Sequence, residues 1–98
     1  MKRKIIFRSL AEAEYLGAIA YYESQQPGLG EDFDYKVRQV IQTIARQPNR
    51  YPFAIRDIRE APTPRFPYCI YYRVLKTRIF ILAVFHQSRD PKEWQSRA

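Results

Sequence analysis

The residues with the clearest capacity for chemistry lie where an uncharged apolar run, Ile79 to Phe85, gives way to His86-Gln87-Ser88-Arg89. An imidazole titrates near neutral pH, and an arginine fork binds phosphate or carboxylate bidentately. Cutting RNA without a metal needs three things: a base for the 2′-OH, a cation for the charge growing on phosphorus, and an acid for the leaving oxygen. His86, the only histidine, fits the first or third task. Arg56, Arg59, Arg73 and Arg89 fit the second. The plainer reading makes His86 a strand-end residue that hydrogen-bonds locally and packs on Trp94, and it leaves strand arginines solvated. The residue types favour the plainer reading, since no second base accompanies His86. Arg89, just past the strand and before a C-terminal helix, has the best claim to a role. Tyr68, Tyr71 and Tyr72 read as sheet packing, because aromatic residues suit a pleated surface.

Other chemistries find little support. One His and one Cys, far apart, do not make a zinc or iron site, so neither a metal nor a cofactor is expected. Cys69, within an apolar strand, reads as a small buried side chain. Gly28-Leu29-Gly30 precedes a helix but lacks a preceding strand and a phosphate-binding lysine, so it is a turn. Seventeen Lys and Arg against ten Asp and Glu give a net charge of +7, which attracts polyanions: nucleic acid, a ribosome or an acidic protein. No apolar run reaches the roughly 20 residues of a membrane span, and MKRKIIFRSL lacks a signal peptide's apolar segment, so a cytoplasmic protein is expected.

The positioning elements follow from periodicity. Phe66 to Arg89 holds two strand-like runs, Tyr68 to Val74 and Ile79 to Phe85, joined at Lys76-Thr77-Arg78: a β-hairpin. Both faces of its second strand are apolar, as in a central strand covered on both sides. Lys2 to Arg8 alternates around Ile5 and Phe7, an edge strand. Ser9-Leu10-Ala11-Glu12 has the capping-box pattern and opens a helix with Leu10, Ala13, Leu16, Ile19 and Ala20 as its buried stripe, ending at Gln25-Gln26-Pro27-Gly28. Leu29, Phe33, Val37, Val40 and Ile44 lie on one face of a second helix that stops before Pro48. Ala54 to Glu60 reads as one further strand and Ala61-Pro62-Thr63-Pro64 as a stiff connector. Asp90-Pro91-Lys92-Glu93 starts a short helix that packs Trp94 down. With 98 residues, one domain over 1–98 is expected. Its class is α+β: an N-terminal strand, a two-helix hairpin packed on an antiparallel sheet of about four strands, and a short C-terminal helix.

This order resembles the RelE/ParE superfamily of toxins from type II toxin–antitoxin modules, closer to the ParE-like branch. The resemblance rests on Tyr22-Glu23, Pro27-Gly28-Leu29-Gly30, Phe33, Pro48, Tyr51-Pro52, Phe66-Pro67-Tyr68-x-Ile70-x-Tyr72-x-Val74, Ile79 to Val84, His86-x-x-Arg89, Pro91 and Trp94. It implies a toxin neutralised by an antitoxin that wraps it, arresting growth or stabilising a plasmid when the antitoxin is lost. ParE-like members block DNA gyrase by binding; RelE-like members cleave mRNA on the ribosome, as metal-independent endoribonucleases. Such nucleases usually present a tyrosine near the C-terminus, whereas no tyrosine follows Tyr72 here. The ParE-like reading is therefore preferred, with Arg56, Arg59, Arg89, Trp94 and Arg97 as target-binding residues. The alternatives are a nuclease using His86, Arg73 and Arg89, and an inactive binding module of the same fold.

Overall fold

The computed structural model describes residues 3–98. Lys2, read above as the start of the first strand, lies outside them. The elements run β1 (Lys4–Phe7), α1 (Ser9–Gln25), α2 (Leu29–Arg46), β2 (Phe53–Ile55), β3 (Ile58–Pro62), β4 (Tyr68–Val74), β5 (Arg78–His86) and α3 (Lys92–Gln95). The strands form one sheet in the order β1-β5-β4-β3-β2. Phe33, Val37, Val40 and Ile44 of α2 are buried in one cluster with Ile70, Tyr72, Ile79, Ile81 and Val84 of the sheet, so the helix hairpin covers one face, as the four-and-three spacing in α2 predicts.

The sheet has five strands rather than about four. Ala54 to Glu60 is not one strand: the chain reverses at Arg56-Asp57, where Arg56 has φ 47°, and β2 folds back on β3. The spacing of three between Arg56 and Arg59 already breaks the period-two alternation of an unbroken strand. β3 then continues through Ala61 and Pro62, which pair with Ile70 and Cys69, so half of the expected connector is strand. The sheet is also not wholly antiparallel, because β1 runs parallel to β5, pairing Lys4 with Arg78 and Phe7 with Ile81. The intervening helix hairpin carries the chain across the sheet face, as parallel neighbours require.

Two expectations for α1 fail. Leu10 and Leu16 are 57% and 58% exposed, and the face turned inward holds Ala11 and Ala18, flanked by Tyr15, Ile19 and Tyr22. Small residues let α1 lie close to its neighbours. Ser9 does not cap the helix. The Arg8 N–H still donates to the Ile81 carbonyl (2.9 Å) as the end of the β1 ladder, and the Arg8 carbonyl accepts the first helical bond from Glu12 (2.9 Å), so the helix begins one residue earlier than the capping box.

The turn between the helices is short because glycine permits it. Gly28 stands at φ 88°, a region that favours glycine. A Cβ on Gly30 would lie 2.4 Å from the Ile19 carbonyl oxygen and 2.9 Å from Glu23 Cβ, so only glycine lets α2 start against α1. Glu23 completes the joint by accepting hydrogen bonds from the N–H groups of Gly28 (2.9 Å) and Gly30 (3.1 Å). A carboxylate there also suits the positive end of the α2 dipole.

A bulge settles which way β5 faces. Tyr71 pairs with Ala83 and Tyr72 with Ile81, leaving Leu82 as the extra residue. Ile79, Ile81 and Val84 therefore face the helices, while Leu82, Ala83 and Phe85 face the opposite, outer side of the sheet with Ile58, Cys69 and Tyr71. One inserted residue turns the following side chains over.

Candidate functional site

The bulge places His86 on the helix side. Its ring meets the Tyr68 ring edge-on at 5.1 Å, and its Nδ1 accepts from the Ser88 N–H (3.0 Å) and lies 2.8 Å from Ser88 Oγ. The local hydrogen bonding expected of a strand-end histidine is present, but the packing partner is Tyr68. Trp94 instead stacks on Tyr71 on the outer face, with ring centroids 3.8 Å apart and planes within 14°, and is only 3% exposed. α3 is anchored through this ring. Asp90 accepts from the Lys92 N–H (3.0 Å), but α3 starts at Lys92 with Pro91 in the N-cap position, one residue later than the sequence pattern puts it, and the Glu93 carboxylate binds Arg89.

Arg89 and Arg97 converge on a residue that sequence reasoning missed, Glu14 of α1. Arg89 Nη1 donates to Glu14 Oε2 (3.0 Å), and Arg97 donates to both Glu14 oxygens (3.0 and 2.8 Å) and to the Leu82 carbonyl (3.0 Å). Glu14 Oε1 also accepts from the Val84 N–H (3.1 Å). The reason lies in the sheet. β1 ends at Phe7, opposite Ile81, so β5 has no neighbour on that edge beyond Ile81. Glu14 and Arg97 satisfy the next backbone donor and acceptor in place of a strand. Glu14 and Arg97 side chains are 13% and 14% exposed, whereas Arg89 is 39% exposed. The guanidinium of Arg89 is held further toward its charged form, first by Glu93, with burial opposing and Glu14 adding to it. A signal for Glu14 existed: it lies three residues after Ala11 and four before Ala18, on the small-residue face that is buried.

The other arginines lie elsewhere. Ile58 pairs with Arg73, and Arg73 with Phe80, whereas Tyr68 pairs with His86, so Arg56 and Arg73 are at the far end of the strands from His86 and Arg89. Arg73 Nε donates to Asp57 (3.0 Å). Arg59 is bound to the chain itself: its Nη1 donates to the carbonyls of Tyr51 (2.7 Å) and Asn49 (3.3 Å), and its guanidinium covers the Phe53 ring at 3.9 Å. Arg56 projects from the exposed β2–β3 turn and forms no ion pair among the described residues. The three nuclease candidates are thus not brought together: Arg73 is remote from His86, and Arg89 is turned toward two carboxylates.

The tyrosines behave as packing. Tyr72 is fully buried and its hydroxyl donates to the Pro48 carbonyl (2.8 Å); burial pushes its phenol up to about 12, with the nearby Arg59 charge opposing. Tyr15 is pushed up to about 12 by burial and then by its hydrogen bond to Asp34, which also pairs with Arg38 (3.1 Å). Burial likewise raises Tyr71 beneath Trp94, helped by its neighbours Cys69 and Glu60. Cys69 is buried, as a small strand side chain should be.

These elements define an α+β protein whose helix hairpin backs a five-stranded sheet and whose tail is tied to that sheet by arginine–carboxylate contacts. Residues 5–91 match the family described as the ParE toxin of the type II toxin–antitoxin system parDE, and the chain belongs to that family. It is a ParE-like member of the RelE/ParE superfamily. A chain from the chromosomal ParDE TA system of P. aeruginosa is similar in fold, with a TM-score of 0.75 at 16% identity over 87% of this chain and 96% of that one. No curated protein matches the sequence. Among the described residues, no helix is long and apolar enough to cross a membrane.

Proposed function

We propose that the protein is a growth-arresting toxin that works by binding, with DNA gyrase as its target, and that a cognate antitoxin encoded by the adjacent gene neutralises it. Family membership supports the toxin role. The observation that carries the preference for binding over RNA cleavage is the dispersal of the candidate catalytic groups. His86 is engaged by Ser88, Arg73 pairs with Asp57 at the opposite end of the sheet, and Arg89 is shared between Glu14 and Glu93. A metal-free nuclease needs base, acid and cation around one phosphate. In this reading Arg89 is the target-facing member of the tail, being the more exposed arginine of the Glu14 cluster. Trp94 holds the tail in place from beneath. The antitoxin covers the apolar side chains that α1 leaves in solvent, Leu10, Leu16 and Tyr21, and its acidic residues are drawn by the +7 charge.

The test is a supercoiling assay with purified gyrase. The protein inhibits supercoiling, equimolar antitoxin restores it, and Arg89→Gln weakens inhibition while retaining the native circular dichroism spectrum. Full supercoiling at a large excess of folded toxin, together with cleavage of ribosome-bound mRNA that His86→Ala abolishes, would establish the nuclease reading instead.

A further inference from the structure

The outer face of the sheet is covered by α3 only at the His86 end. At the other end Ala54 and Ile55 pack beside Ile58 on the β3 side, while on the β1 side Lys4, Arg8 and Arg78 are exposed. Ile5 and Phe7 pack toward the helices, so Lys4, Ile6 and, just past the strand, Arg8 lie along the outer side of β1. Beside them on β5 stand Arg78 and Phe80, and on β4 Arg73, with Lys4 paired to Arg78, Ile6 to Phe80 and Arg73 to Phe80. Arg8 and Arg78 place their guanidinium carbons 4.4 and 5.8 Å from the centre of the Phe80 ring. That ring holds two planar cations in fixed positions. Neither side chain makes a hydrogen bond or ion pair among the described residues, and Lys4 forms no ion pair either. Lys76 and Arg56, on the adjoining turns, extend the same field. The one carboxylate paired there is Asp57, on Arg73.

This arrangement works against stability. Lys4 and Arg78 face each other on adjacent strands, and like charges directly opposite repel. We propose that this β1-side patch is a docking surface for the phosphate backbone of duplex DNA, an inference independent of whether gyrase is the protein's target. Successive outward side chains on a strand are about 6.6–6.8 Å apart and neighbouring strands about 4.8 Å, so the cations form a flat grid that can meet several phosphates at once. A protein partner would need an exposed apolar anchor at the centre of the patch, but the Phe80 ring is already occupied by arginines. The same occupancy leaves no open ring for the bases of a single strand to stack on. Duplex RNA adds 2′-hydroxyl contacts to those with phosphate, so its affinity is measured beside that of DNA.

Fluorescence anisotropy with a labelled duplex of arbitrary sequence, using the purified toxin, tests this. Binding is sequence-independent and strengthens as salt falls, with log K against log salt sloping at about −2.7 to −3.6 for three or four phosphate contacts. Arg8→Gln with Arg78→Gln removes about two from that slope and lowers affinity about tenfold or more at low salt. Arg46→Gln with Arg65→Gln, which makes the same change in net charge elsewhere, leaves the slope within about half a unit of the parent. An equal loss in the two double variants would overturn the proposal, since net charge alone would then explain binding. Tighter binding to single-stranded DNA or to duplex RNA would overturn it too, as would displacement of the duplex by polyglutamate at a lower concentration of charge than unlabelled DNA requires. So would absence of binding at low salt.

Discussion

Two phenylalanines on β5 are built into nearly the same motif and end in opposite electrostatic states. Phe85 has the Arg89 and Arg97 guanidinium carbons 4.2 and 5.8 Å from its ring centre; Phe80 has those of Arg8 and Arg78 at 4.4 and 5.8 Å. Around Phe85 the cations are neutralised by Glu14 and Glu93, and the ring is buried with Trp94 nearby. Among the described residues, no carboxylate pairs with the two arginines on Phe80, Arg8 and Arg78. An arginine on an aromatic ring is therefore not evidence of a site in itself. At the covered end the pairs hold the tail to the sheet, and at the Phe80 end the same residue type stays available to a partner.

The covered end depends most on Trp94. Trp94→Ala removes the ring stacked on Tyr71, and a buried Trp truncation costs about 3–5 kcal/mol, read as a lower denaturant midpoint. If the midpoint hardly moved, α3 would not be a structural part of the covered end. Glu14→Gln is the next largest change. It leaves Arg97 without its counter-ion and weakens the acceptor for the Val84 N–H, a loss of roughly 2–4 kcal/mol at a mostly buried pair. Amide exchange should accelerate first at Leu82 to Val84, and uniform acceleration across the sheet would argue against a local role.

Alkali separates the two ends in another way. A tyrosine whose folded pKa is raised keeps its proton where the unfolded chain, with a pKa near 10, has lost it. Stability is thus full below about pH 10 and falls as pH climbs through the folded values, which for Tyr15 and Tyr72 are about 12. Tyr71 contributes from the covered end, and Tyr71→Phe should reduce the difference in unfolding free energy between pH 9 and pH 11. An unchanged difference would mean that Tyr71 ionises freely beneath Trp94. The smallest effect belongs to the Phe80 end. Arg8→Gln and Arg78→Gln should each shift stability by less than about 0.5 kcal/mol, with relief of the Lys4–Arg78 repulsion pointing toward a gain at low salt. A loss above about 1 kcal/mol in either would mark these arginines as structural after all.

Much of this architecture was legible in the residues. α2 announced itself by apolar spacing, the β4–β5 hairpin by its aromatic and β-branched runs, and the interhelical turn by Pro27 and Gly28. What escaped did so for physical reasons. α1 packs through Ala11 and Ala18 and exposes Leu10, Leu16, Ala13 and Ala20, so of the apolar stripe only Ile19 reaches the core. The β2–β3 turn uses Arg56 at positive φ where glycine or asparagine would have signalled it. The bulge at Leu82 has no sequence marker between apolar neighbours, yet it decides that His86 joins Tyr68 and not Trp94. Glu14 escaped because a carboxylate on a helix is ordinarily solvated, and only the end of β1 at Phe7 creates backbone groups for it and Arg97 to satisfy. The sequence named Arg89, Arg97, Arg56 and Arg73 as candidates, but not that strand register sets them at two separate ends of one sheet.

The most direct test of the central claim is to induce the protein in bacteria and follow thymidine and amino-acid incorporation over the first minutes, with and without the neighbouring gene. A gyrase poison lowers thymidine incorporation first while translation persists, and co-expression of the neighbour abolishes the effect. An initial fall in amino-acid incorporation, reversed in His86→Ala, would contradict action on gyrase.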